Sequence, residues 1–306
     1  MSGRRDIVAQ RSRSAHAQDA PGSCKVGTTL ANSGQFGFDR DGRAGYQTVP
    51  RPDTAVIDAG LRAFMLRVYN YMALGLVITG VAAVVVYMLS VTGDAAVAAK
   101  IVRGGIEGPV RITGTTYLTA VGYALFVSPV KWLIILSPLA FILVLSFGLE
   151  RMRPATAQLL FWLFAALIGV SLSSIFLVYT HTSITRVFFI TAATFGALSL
   201  WGYTTNRDLS DFGSFLLMGL FGVVIAGLVN LLLQSSLLQW VVSLVGVLVF
   251  AGLTAWDTQR LKSEYIYGAM NGEVMDRAAI RGALSLYLDF INLFTLLLQL
   301  LGEREE

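Results

Sequence analysis

Two acidic residues stand in stretches otherwise built from apolar side chains, and their placement is the first sign of chemistry in this chain. Asp289 occurs in Leu284-Ser285-Leu286-Tyr287-Leu288-Asp289-Phe290-Ile291-Asn292-Leu293-Phe294, and Asp257 in Ala255-Trp256-Asp257-Thr258-Gln259. Ionisable groups inside membrane spans are rare, because burying one costs several kcal/mol, and each is therefore a candidate for function. Ser285, Asp289, Asn292 and Gln299 follow spacings of four, three and seven, which puts them on one face of a helix. That face must point into a bundle. Asp257 lies at the cytoplasmic end of the preceding span, which runs antiparallel, so the two carboxyls can meet. Two carboxylates at hydrogen-bonding range in a poorly solvated site cannot both ionise cheaply. Such a pair titrates as a unit and can hold one proton between its members. The shared proton latches two helices, and its loss near neutral pH replaces a hydrogen bond with repulsion. Once ionised, the same oxygens suit Ca²⁺, a hard cation that prefers oxygen ligands. With Ser285 and Asn292 beside them they form an incomplete, weak site, as a transported ion requires. No tightly bound cofactor is expected.

The elements that must position these residues are membrane helices. Apolar residues make up 55% of the 306-residue chain and charged residues 14%, and the mean hydropathy is +0.66. A typical soluble domain carries about 25% charged residues. The apolar residues also cluster in blocks of about 20, the length that crosses a hydrocarbon core ~30 Å thick. Spans are predicted at 69–89, 131–149, 156–179, 185–204, 212–233, 237–256 and 281–301, which makes an all-α polytopic protein of seven transmembrane helices. An amphipathic lead-in from Asp58 to Tyr71 carries Arg62 and Arg67 into the first span. A polar, Gly-containing connection covers 91–128, with a semi-apolar stretch from Tyr117 to Val127 that is too short to span. Residues 1–54 have the composition of a disordered tail, and residues 55–306 form the transmembrane domain. Arg4-Arg5 lacks the apolar run of a signal peptide. Cys24 is the only cysteine, so no intrachain disulfide forms.

Orientation follows from Lys and Arg, which stay cytoplasmic in short loops. With the N terminus inside, 17 of the 23 fall on the inner side, including Arg151, Arg153, Arg207, Arg260, Lys262, Arg277 and Arg281. The C terminus is then periplasmic. The net charge of +4 suits this topology, and no basic stripe interleaved with aromatics points to nucleic acid. Gly75, Gly80, Gly169, Gly219, Gly222 and Gly227 read as close-packing positions between helices, and Asn230 as an amide that ties two helices together. His181 reads as a residue of an outer turn.

The sequence resembles the Bax inhibitor-1 family, also called the transmembrane BAX inhibitor motif family, in its bacterial YccA-like branch. The resemblance rests on Leu284 to Phe294, on Trp256-Asp257-Thr258-Gln259 and on Leu61-Arg62-Ala63-Phe64-Met65-Leu66-Arg67-Val68-Tyr69-Asn70-Tyr71-Met72, and covers residue 55 to the end. It implies a bacterial inner-membrane protein of seven helices, with the seventh surrounded by the others. It also implies a pH-sensitive Ca²⁺ leak gated by an aspartate pair, which falls here on Asp257 and Asp289. The arginine that pairs with this dyad falls on Arg151, with Arg153 as the alternative. Two further positions, a carboxylate in the second span and an arginine late in the seventh, correspond to Ala140 and Gln299, so a second ion-pair gate lacks its charges.

Two other readings compete. Interaction with other membrane proteins, in stress or protease regulation and without transport, is also implied by the resemblance for bacterial members. Intramembrane aspartyl proteolysis needs one Asp on each of two adjacent helices, but its Gly-x-Gly-Asp signature is absent, as Leu286-Tyr287-Leu288 precedes Asp289. The expected protein is therefore not an enzyme; its partners are the lipid bilayer, Ca²⁺, protons and other membrane proteins.

Overall fold

The computed structural model describes residues 54–103, 106–113, 116–148, 152–268 and 272–305. Of the predicted tail only Thr54 falls among them. Long apolar sequences with few charges leave helix as the one element that satisfies every backbone group in lipid, and the chain follows that rule. The long helices are α1 (Thr54–Ser90), α3 (Val130–Gly148), α4 (Pro154–Leu172), α5 (His181–Thr204), α6 (Ser210–Leu233), α7 (Ser236–Gly268) and α8 (Gly272–Leu301). Between α1 and α3 the connection holds β1 (Val91–Thr92), β2 (Lys100–Arg103), β3 (Ile106–Pro109), β4 (Arg111–Thr113), β5 (Thr116–Leu118) and the short α2 (Ala120–Phe126). The strands form an antiparallel sheet of order β1-β5-β4 and a β2-β3 hairpin.

Among the described residues six helices are long and apolar enough to span, and seven when α2 and α3, bent by 66° at Ser128-Pro129, count as one broken span. The semi-apolar stretch before α3 is thus resolved into the end of β5 and the arm of this broken span. Contacts fix the alternation. Phe64 of α1 stacks on Tyr265 near the end of α7, with centroids 5.4 Å apart, and Arg67 pairs with Asp276 at the start of α8. At the opposite side Tyr87 packs on Phe176 and His181. His181 is therefore the first residue of α5, held by aromatic packing. The C-terminal segment closes on the same side, where Glu305 N donates to Val178 O at 3.0 Å and Thr180 N to Glu303 O at 3.1 Å.

Three predicted boundaries move. The lead-in and the first span are one continuous helix, with no proline inside it to break the run. The helix of the sixth span continues past Trp256 to Gly268, and the helix of the seventh begins at Gly272 rather than 281. Hydropathy falls at Asp257-Thr258-Gln259-Arg260, yet these polar groups find partners within the bundle. The helix has no reason to stop there.

α8 is the most buried of the candidate spans and packs against α1, α4, α5 and α7. Tyr287 anchors it, with edge-to-face contacts to Phe161 and Phe164, each such aromatic pair being worth about 0.5–1.5 kcal/mol. Its hydroxyl meets Thr79 Oγ1 at 2.7 Å. Since Thr79 has one proton and also reaches Ala165 O at 2.9 Å, Tyr287 donates to Thr79 and Thr79 to the backbone. Three helices are pinned at that point. A second chain of hydroxyls joins α1, α5 and α7: Tyr69 lies 2.6 Å from Ser199, Ser199 2.9 Å from Thr258, and Thr258 donates to Thr254 O at 2.8 Å. The small residues divide. Gly75, Gly169 and Gly219 abut neighbouring helices and leave no room for a Cβ, whereas Gly80, Gly222 and Gly227 face open space.

Candidate ion site between α7 and α8

The longer α7 puts Asp257 well inside the helix rather than at a wetted end, with 6% of its surface exposed. Asp289 lies 17 residues into α8 and is 5% exposed. Antiparallel packing of α7 on α8 brings the two carboxyls into hydrogen-bonding range of each other. Ser285, one turn before Asp289, donates its hydroxyl to Asp257 Oδ2. Asp289 Oδ2 is buried and receives no hydrogen bond. Ionised carboxylates only accept, so two of them at this range can bond to each other only if one carries a proton.

Asn292 shares the α8 face but donates its amide to Leu288 O at 2.8 Å, within its own helix. Gln299 lies at the far end of that face. It accepts from Gln239 Nε2 at 2.5 Å and from Ser243 at 2.7 Å, and Gln239 in turn accepts from Asn230 at 2.8 Å. The predicted tie through Asn230 is thus an amide cluster spanning α6, α7 and α8. Ala140 is an exposed residue of α3. Arg151 lies outside the described residues, and Arg153 caps the start of α4.

The residues around the entrance to the dyad are a finding of the structure. A cavity of about 30 Å³, room for about one water, opens beside Asp257 and is lined by Arg260, Glu264, Arg281 and Ser285. Arg281 pairs with Glu264 at 3.4 Å across its mouth. The field of Arg260 reaches Asp257, while its guanidinium lies over the Trp256 ring, 5.5 Å from the centroid. Spacing carried a signal for this cluster: Asp257 and Glu264 are seven apart, and Arg281, Ser285 and Asp289 recur every four, so each set shares one helix face. Among the described residues no group of three or more His, Cys, Asp or Glu side chains could hold a metal. A cation here would rest on two carboxylates and neutral oxygens.

The sequence profile of the family described as inhibitor of apoptosis-promoting Bax1 matches residues 61–306. A protein of Rickettsia prowazekii is 45% identical over 249 residues, covering 81% of this chain and 93% of its own length. A protein of Caulobacter vibrioides is 42% identical over 250 residues, with 82% and 92% covered. The inner membrane protein YbhL of Escherichia coli is 41% identical over 264 residues, with 83% and 98% covered. The match takes in both aspartates, the bent second span and all the helices after it. The chain is a multi-pass inner-membrane protein that belongs to the Bax inhibitor-1 family.

Proposed function

We propose that the protein is a passive, proton-regulated Ca²⁺ leak whose gate is the Asp257–Asp289 pair. The observation that supports this reading is the juxtaposition of two buried carboxyls, one of whose oxygens receives no hydrogen bond, on two helices that pack closely along their length. With a proton between them the carboxyls hold α7 to α8. As pH rises the proton leaves, repulsion loosens the pair, and the freed oxygens attract a hard cation. Two carboxylates bind Ca²⁺ weakly enough for it to leave again. Flux therefore rises with pH. In this reading the Asp257 side faces the cytoplasm, the C terminus is periplasmic, and the chain catalyses no reaction. Arg260 and the Arg281–Glu264 pair stand where a cytoplasmic proton would enter, with Arg151 or Arg153 as a further cation on that side.

The test is Ca²⁺ entry into liposomes holding the purified protein, followed between about pH 6 and pH 8, with Asp257→Asn and Asp289→Asn alongside. Wild-type flux that climbs with pH, and flux in both variants that ignores it, is the expected result. An unchanged pH response in both variants sinks the dyad gate. Flux no greater than in empty liposomes leaves the regulatory interaction protein as the better reading.

A further inference from the structure

A groove of about 660 Å³ runs between α6 and α7 on the side away from α8. Phe212, Phe215, Val245 and Leu248 line it and are all exposed in the isolated chain. Along α6 it extends from Leu209 to Gly219, ten residues or about 15 Å. That is half of a ~30 Å hydrocarbon core, the depth of one leaflet. Water does not wet such walls, so a hydrocarbon chain is the natural filling.

The mouth of the groove is of a different character. Arg207 and Asp208 stand there in the turn between α5 and α6, with Trp201 and Trp256 beside them. Indole rings settle where apolar and polar regions of a bilayer meet, which puts this mouth at headgroup level. Arg260 adds a second guanidinium over the Trp256 ring. The Asp208 carboxyl is held below the ordinary carboxylate range by hydrogen bonds from Ser210, including its backbone N–H at 2.9 Å, so it is fully ionised at neutral pH. Two guanidiniums and one carboxylate are the complement of a phosphate next to an ammonium.

We infer that this groove is a binding site for one ethanolamine phospholipid of the leaflet on the Asp257 side, with an acyl chain between α6 and α7, its phosphate on Arg207 and Arg260 and its ammonium on Asp208. Bidentate guanidinium contacts suit phosphate, and the carboxylate discriminates against headgroups without a cation. The site shares α7 and Arg260 with the surroundings of the dyad but takes a different ligand, and its occupancy can be read without any ion flux.

The experiment uses full-length protein in phosphatidylcholine vesicles. One version keeps only Trp256, with Trp132, Trp162, Trp201 and Trp240 replaced by Phe. A matched version keeps only Trp240, at the opposite end of α7. Each is titrated with phosphatidylethanolamine or phosphatidylglycerol brominated on the acyl chains, which quenches indole fluorescence on contact. Trp256 is expected to be half-quenched at a mole fraction roughly tenfold lower than Trp240, and by phosphatidylethanolamine in preference to phosphatidylglycerol. Arg207→Gln and Asp208→Asn, both in an exposed turn, should each raise that mole fraction roughly three- to tenfold. Quenching of Trp256 and Trp240 at the same mole fraction would mean ordinary surrounding lipid and would overturn the proposal. Equal quenching by both lipids, or quenching that ignores both substitutions, would overturn it too.

Discussion

Two polar clusters lie ten residues apart on one face of α8, and they satisfy their polar groups in opposite ways. At the Gln299 end, Asn230, Gln239, Gln299 and Ser243 are neutral groups that carry both donors and acceptors, and they bond to one another across three helices. Nearer the middle of α8 Asp257 and Asp289 bring acceptors, Ser285 donates to Asp257 alone, and an oxygen of Asp289 is left unmatched. An amide cluster stays satisfied at any pH. A carboxyl pair is satisfied only while it keeps a proton. In the proposed reading the same helix carries one fixed joint and one that pH releases, and residue type alone separates them.

The largest effect that would break this comparison is on the proton-dependent joint. Asp257→Asn or Asp289→Asn supplies a permanent amide donor, and the pH response of Ca²⁺ flux should disappear; a persisting response, measured in liposomes, means the release lies elsewhere. Next comes Ser285→Ala, which removes the hydroxyl donor to Asp257. Hydrogen bonds to charged groups are worth about 1.5–3 kcal/mol, and a loss of this size should appear in thermal unfolding. The lost donor favours the ionised carboxylate, so the pH midpoint of flux should move upward.

Gln299→Leu tests the fixed joint. Interhelical hydrogen bonds in lipid are worth about 0.6 kcal/mol on average and about 1.7 at most, and the loss should be the same at every pH, as followed by thermal denaturation from acid to neutral. A loss that varied with pH would show that the two ends are coupled. The smallest effect belongs to Gln299→Glu placed in the Asp289→Asn background. It should restore a pH dependence of stability, of at most about 1 kcal/mol because the side chain is exposed. A flat profile would mean that water already screens this end.

Much of this arrangement could be read before any coordinates. Spans three to seven were legible because twenty apolar residues in a row leave few alternatives, and the shared face of Ser285, Asp289, Asn292 and Gln299 follows from helical periodicity. The end of α7 was not legible. Hydropathy scores Asp257, Thr258 and Gln259 as solvent-facing, but Thr258 is satisfied by Ser199 and its own helix, and Gln259 bridges to the α5–α6 turn by accepting from Leu209 N at 2.8 Å. Polar groups that find partners cost little to bury, and a scale of single residues cannot see partners. The bent α2–α3 span was half legible for a related reason: its first arm is seven residues long, too short to register alone.

By itself, the sequence determined the solvent, the number of crossings to within one, and the face on which α8 carries its polar groups, since composition, run length and periodicity are properties of the chain. Tertiary structure decided which of those groups meet. Gln299 turns to Gln239 and Ser243, Asn292 to its own backbone, and Asp289 to Asp257, although all three lie on one face. Periodicity sets the direction in which a side chain points, but the register of α7 against α8, held by close-packed residues such as Tyr287, sets what it finds there.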